Sequence, residues 1–447
     1  MTVHQETIHV KGQGDVSWTV RSSRHGPIIS DAQSLFEGVL NKDRYAMALR
    51  WAALDANNAT IDAGLQANFA QTVPELIQAY ANHHSPMQSV VMADTRGEVG
   101  FKAIGKVPLR AAANDVRGVA PVPGWNAAYD WTGWLPYAQT PSMTQAQIEA
   151  QGAYATANQR IIDPSYPHYL GSDWTTPERF DRISQLLRAH DKIDLQVMAD
   201  IQHDVLSLGA KAILPYSLQA QPTHALGRQA MQLLTKFDGR MTQDSAAAAI
   251  LNVWAHELTR GLLEPRMGQE LFKQLYGKRN FRSGLLQVLQ NDSAQWCSQT
   301  GCGHEISQAM DQALTRLQAQ LGSDPARWRW ADIHPAISAH KPFDKVPVLR
   351  SLFSQSVPSA GDNFTVNVGQ YWANDAKMPF ANRHAASLRA IYDLASPESS
   401  LFIYQTGQSG DPFDPRSHDM SSAWAGQGYR PLQMQTAAYR HSLQLVP

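Results

Sequence analysis

The first hundred residues alternate. "VSWTVRSS" (residues 16–23) and "SVVMAD" (89–94) set β-branched and aromatic side chains between turn signals, and "TIHV" and "GFKAI" repeat the habit. "ADTRGEVGF" closes a pair of strands as a hairpin with its turn near Arg96-Gly97. One helical stretch, "VPELIQAYANHH" after Thr72, interrupts them. From residue 175 the period changes. "TPERFDRISQLLRAH" opens with Thr-Pro-Glu, a helix start. "DLQVMADIQHDVLSLGAKAILPYSL", "GRQAMQLLTKF", "SAAAAILNVWAHELTRGLL" and "EISQAMDQALTRLQAQL" then carry apolar residues at i, i+3 and i+4. After about residue 350 strands return as "FTVNVGQYW", "SLRAIYDL" and "SLFIYQTG".

This texture predicts an α+β protein in three stretches: a strand-rich part over 1–174, a helical region over 175–350, and strands with loops over 351–447. The order strand, helical insert, strand suggests one sheet system completed from both ends. Strands near 1–30 and 86–106 would then pair with strands near 364–410. "YATANQRI" (154–161) reads as a short strand-like segment that carries Asn158. Asparagine is a poor strand former, so the value of Asn158 there lies in what its side-chain amide can point at.

Composition narrows the function classes. The chain has 447 residues, 43% hydrophobic and 17% charged, with net charge -1, which describes an ordinary globular protein. No Lys/Arg stripe marks a nucleic-acid partner. No apolar run reaches the roughly 18 residues that a membrane span needs. "MTVHQETIHVKGQGDVSW" has no basic region followed by an apolar one, so no signal peptide is expected on this chain. It reads as two strands around a Gly-containing turn, a start that suits the continuation of something longer. No Gly-rich phosphate loop is present, and no redox or nucleotide cofactor is expected.

Two cysteines, Cys297 and Cys302, stand in "WCSQTGCGH". A zinc site needs about four ligands, and only His304 is added nearby. A local disulfide fits better and points to an oxidising compartment. Other motifs fail their chemistry. "HELTR" at His256 and Glu257 has Arg260 where a zinc protease needs its second His. His203-Asp204 has no third ligand in register. "GQSGD" imitates a nucleophile elbow but carries Asp411 where the second glycine of G-x-S-x-G belongs, and no helix is expected after it. Residue by residue, the chain shows no complete catalytic constellation.

Several segments taken in order say more. "SRHGPIIS", "PVPGWNAAYDWTGWLP", "ATANQRI", "YPHYLGSDWTTPERFDRISQLL", "LTKFDGRM" with "AILNVW", "SLRAIYDL" and "GQSGDPFDPRSHD" together resemble the penicillin acylase family, amidases with an N-terminal nucleophile, over most of the chain. The resemblance implies an incomplete four-layer αββα sandwich with a large helical insert. It implies hydrolysis of a small-molecule acyl amide, the side-chain amide of a β-lactam or an N-acyl-homoserine lactone. Asn158 matches the family's catalytic asparagine, whose NH2 donates to the oxyanion. Arg179 matches its active-site arginine, and Asp173 matches a position that binds structural calcium in some members. Calcium takes about 6–8 oxygens, most of which would come from elsewhere. The family's nucleophile is a Ser at the start of the β subunit, with its own α-amine as base. By motif order this chain starts downstream of that Ser. Thr2, exposed if Met1 is removed, does not match its strand position. The implied partner is therefore the missing upstream part, the α subunit and the start of the β subunit, and the implied location of the parent enzyme is periplasmic or secreted. On this reading the chain is inactive alone. The competing reading is a non-catalytic remnant or binding module that keeps the scaffold.

Overall fold

Contacts divide the chain into two units, one of Met1–Tyr154 with Ile161–Asp173 and one of Ala155–Arg160 with Trp174–Pro447. The computed structural model describes residues 1–33, 36–275, 280–291, 293–297, 302–433 and 442–444.

Among the described residues, the first unit holds three small sheets. Strands β1 (Thr2–Ile8) and β2 (Val16–Ser23) pair antiparallel from Ile8↔Val16 to Thr2↔Ser22. Gly26–Pro27 adds a short third strand at Ser22 and Ser23. Gln88–Ala93, Val99–Ile104 and Ser142–Met143 form the second sheet, and Pro108–Arg110 with Trp131–Trp134 the third. The hairpin expected at "ADTRGEVGF" forms because Asp94 Oδ1 accepts from the backbone N–H of Arg96 (2.9 Å) and Glu98 (3.1 Å), while Gly97 takes φ +87°. The helix Val73–Ala79 starts where Thr72 accepts from the Glu75 N–H at 3.1 Å. Phe101, Ala103 and Ile148 are buried together, with Met87, Val99, Met143, Tyr154 and Ile161 packed against them.

The second unit is built round the helix Ala246–Met267. Every residue from Ala246 to Thr259 is buried, so this helix is wrapped on all sides rather than amphipathic. Four consecutive alanines, Ala246 to Ala249, leave room for neighbours to come close. Ser245 caps its start, accepting from the Ala248 N–H at 3.1 Å. The helices Leu208–Ser217, Gly227–Thr235 and Gly303–Leu321 pack around it, and Leu234, Trp254, Leu314 and Leu317 have no exposed surface. Cys297 and Cys302 form a disulfide, as their spacing suggests. Two sheets complete the described residues of this unit. One has the order Gln355–Val357, Ala336–Ser338, Asn382–Ala385, Gly369–Tyr371; the other runs Leu388–Ile391, Leu401–Tyr404, Arg430–Pro431.

Three expectations are corrected. No strand of the first hundred residues pairs with one from 364–410 among the described residues; each sheet draws on a single unit. Alternation marks a segment as extended without naming its neighbour, and here the neighbours are local. "FTVNVGQYW" contributes only Gly369–Tyr371 as strand, because Thr365 Oγ1 donates to the Asn367 carbonyl (2.7 Å) and accepts from the Asp362 N–H (2.9 Å), which folds the segment into a turn. "YATANQRI" is not a strand, because Asn158 adopts φ +67°. The mixed α+β class stands, and no described helix is long and apolar enough to cross a membrane.

Candidate active site

Asn158 sits on an irregular turn that is fixed on both sides. Its carbonyl accepts from the Thr175 N–H at 2.9 Å. Next to it, the Gln159 Oε1 accepts from the Ala157 N–H at 2.7 Å. Ala157 and Gln159 are buried while Asn158 is exposed, so the left-handed backbone presents the one side chain outward. Asparagine tolerates that backbone where most residues do not.

Arg179 stands in the first turn of the helix Glu178–Arg188, twenty-one positions on, and its Nη2 donates to the Asn158 Oδ1 at 2.9 Å. A guanidinium has donors and no acceptor, so the amide atom facing it is the oxygen. The NH2 of Asn158 is thereby turned away from Arg179, a donor with fixed direction. One helical turn further on, Arg182 grips Asp204 with a two-pronged pair, Nε to Oδ1 at 2.9 Å and Nη2 to Oδ2 at 2.8 Å. That contact raises the Arg182 guanidinium above its ordinary range. Asp204 is buried, accepts also from the Leu206 N–H (3.2 Å) and has Arg240 at 3.7 Å. Asn158 and Arg179 are thus brought together as the resemblance implies, and Arg182 with Asp204 holds the helix that carries Arg179. Sequence reasoning missed this second pair. The signal was there, since Arg179 and Arg182 lie on neighbouring positions of one helix face.

A cavity of about 400 Å³ lies in the same unit, lined among others by Thr176, Glu178, Ile213, His256 and Phe364. Thr176, Pro177 and Glu178, the residues just before Arg179, belong to its lining. The "HELTR" segment has a structural role beside it. Glu257 is buried and binds Arg316 and Arg260, each at 2.9 Å, so the arginine that breaks the zinc motif closes an ion-pair cluster. "GQSGD" is a tight loop in which the Ser409 N–H donates to the Arg416 carbonyl at 3.3 Å, and a side chain on Gly407 would strike that carbonyl. Ser409 sits on no strand–turn–helix elbow.

In the first unit, two of the resembling segments meet. His25 Nε2 donates to the Gly124 carbonyl at 2.7 Å, and Arg24 reaches the same carbonyl (2.8 Å) and Asp130 (2.6 Å). The Arg24 contact holds the Asp130 carboxyl below its ordinary range. Beside them lies a cavity of about 170 Å³ walled by Trp51, Trp131 and Trp134, with Arg50 stacked 5.0 Å over Trp131. Asp173 belongs to this unit and is exposed. No group of three or more His, Cys, Asp or Glu that could hold a metal exists among the described residues.

The family model described as penicillin amidase matches residues 1–441. The acyl-homoserine lactone acylase QuiP of Pseudomonas aeruginosa is 27% identical over 462 residues, which covers 94% of this chain and 53% of that protein. A penicillin acylase 2 proenzyme of a Pseudomonas species is 26% identical, covering 94% of this chain and 52% of its own length. The chain spans about half the length of the curated relatives it matches. Among solved structures, a thermostable penicillin G acylase from Alcaligenes faecalis superposes on 100% of this chain and 82% of its own, with TM-score 0.68 at 17% identity. That likeness is one of fold.

Proposed function

Because the chain belongs to the penicillin amidase family, we propose that Asn158 and Arg179 form the oxyanion-stabilising part of a hydrolase that cleaves acyl amides. The observation that carries this reading is the bond from Arg179 Nη2 to Asn158 Oδ1 at 2.9 Å. As a nucleophile attacks the amide carbonyl, its oxygen becomes an anion. A donor already aimed at that point stabilises the anion without reorganising, which is worth about 3–4 kcal/mol. The nearby cation pulls electron density through the Asn158 amide and makes its N–H a better donor.

The nucleophile and its amine base come from outside these 447 residues, a reading supported by relatives of about twice the matched length. The partner is then the polypeptide that supplies an N-terminal Ser. The substrate class is that of the relatives' names, an N-acyl-homoserine lactone or the acyl side chain of a penicillin. The Cys297–Cys302 disulfide favours an oxidising compartment such as the periplasm. No step is assigned to calcium.

The test is reconstitution. The chain is produced with a polypeptide carrying the N-terminal Ser, and amine release from an acyl-homoserine lactone and from a penicillin is followed. Activity should appear only in the reconstituted enzyme, and Asn158→Ala should lower kcat by about 10²–10³. Full hydrolysis by the isolated chain, unchanged in Asn158→Ala, would overturn the reading. A reconstituted complex with no activity would favour the scaffold-only alternative.

A further inference from the structure

β1 is an edge strand. Among the described residues it pairs with β2 on one side only, and all seven of its residues are exposed. Over most of its length it is half of a two-stranded ribbon, an arrangement that is marginal in water. Its outer row of N–H and C=O groups is a template for another strand.

The sequence of β1, Thr-Val-His-Gln-Glu-Thr-Ile, is complementary to itself about Gln5. In an antiparallel copy centred there, His4 faces Glu6, Val3 faces Thr7 and Thr2 faces Ile8, each twice by symmetry. His4 and Glu6 project from the same face, and within one chain His4 Nε2 already lies 2.8 Å from Glu6 Oε1. Pairing two copies would close a ring of two imidazoles and two carboxylates. The register of β1 with β2 sets Trp18 beside Glu6 and Val20 beside His4 on that face. Trp18, 40% exposed, would flank the ring on both outer sides and shield it from water. The opposite face would bring the two Gln5 amides together, each already tied to Thr19 at 2.9 Å.

We propose that a second copy of this chain pairs along β1, giving one continuous sheet with the two β1 strands at its centre. One strand edge covers less than the roughly 1,200 Å² of a standard interface, so the dimer forms as a function of concentration.

Sedimentation velocity of the 447-residue chain across the micromolar range tests this. The expected result is a doubling of mass with rising concentration. Glu6→Lys removes the carboxylate that His4 faces, sets a cation in its place in each of the two symmetric pairs, and should weaken the dimer by about tenfold. The double variant His4→Glu/Glu6→His keeps each imidazole opposite a carboxylate and should restore it. These positions are exposed, and circular dichroism should show unchanged folding in all three proteins. A chain that stays monomeric, a dimer indifferent to Glu6→Lys, or a failed rescue in the double variant would each overturn the proposal. A monomer that is converted to a complex only by the Ser-carrying polypeptide would give the edge to that partner instead.

Discussion

A guanidinium cannot accept a hydrogen bond, and this makes Asn158→Asp the most discriminating change at the candidate site. Aspartate has nearly the shape of asparagine, and it would bind Arg179 more strongly through a charge-assisted pair. It offers no N–H to a developing oxyanion. The expected outcome is a split: kcat of the reconstituted enzyme falls by at least about 10³, while the melting temperature of the chain holds or rises. A parallel loss of both would mean that Asn158 acts through the fold. His203 gives a second test at this scale. Its ring is buried, lies 5.2 Å from Tyr429, and has Nε2 without a hydrogen bond among the described residues. Burial, with Arg389 nearby, pushes its pKa down to about 4. The unfolded chain takes up this proton near pH 6.5. Between those values the unfolded state holds more protons, so stability falls as pH drops, by roughly 2–3 kcal/mol for this group. Urea unfolding at pH 7 and pH 5 should show a steeper decline in the native chain than in His203→Gln. Equal slopes would place the acid sensitivity elsewhere. In the sequence, Asn158 could be singled out because its place among ordered motifs pointed to it. The burial of His203 had no such local sign.

Helix Glu178–Arg188 has no fully buried residue, so packing alone anchors it poorly. The Arg182–Asp204 pair supplies the missing anchor, with side-chain exposures of 17% and 6%. Removing one partner of such a pair leaves a poorly compensated charge. Asp204→Ala should therefore cost about 3 kcal/mol in urea unfolding, whereas Arg182→Lys, which keeps the charge and loses the fork, should cost less. A change below about 0.5 kcal/mol for Asp204→Ala would mean that solvent compensates both Arg182 and Arg240 and that the helix is anchored by other contacts. Elements of this kind were legible in the sequence wherever the signal is local. Thr72 and Ser245 cap helices, and Asp94 and Gly97 turn a hairpin, each through contacts within four residues. Hairpin partners were legible too, since the strand–Gly-turn–strand reading of the first residues and the "ADTRGEVGF" turn both name an adjacent neighbour. What failed was the long-range pairing with strands near 364–410, because alternation within a segment carries no mark of a distant partner.

The two units are unequal in what holds them. The first has a buried cluster of Phe101, Ala103 and Ile148 beside three small sheets and an exposed ribbon. The second has a continuous core from Val205 through Trp254 and Leu314 to Phe380. Apolar burial contributes about 25 cal/mol per Å², so the second unit has the larger reserve against denaturant. The large core was foreshadowed by the uninterrupted helical periods, because a helix buried on all sides must be surrounded by other helices. Unfolding should then proceed in two steps, with hydrogen exchange in urea releasing peptides from residues 1–154 before those from 195–333. The disulfide sharpens the expectation. Cys297 and Cys302 are five positions apart and belong to the second unit. A loop that short stabilises by about 2 kcal/mol through the entropy it removes from the unfolded chain. Reduction should lower the second transition and leave the first where it was. One coincident transition, shifted as a whole by reduction, would show that the two units unfold as a single cooperative body.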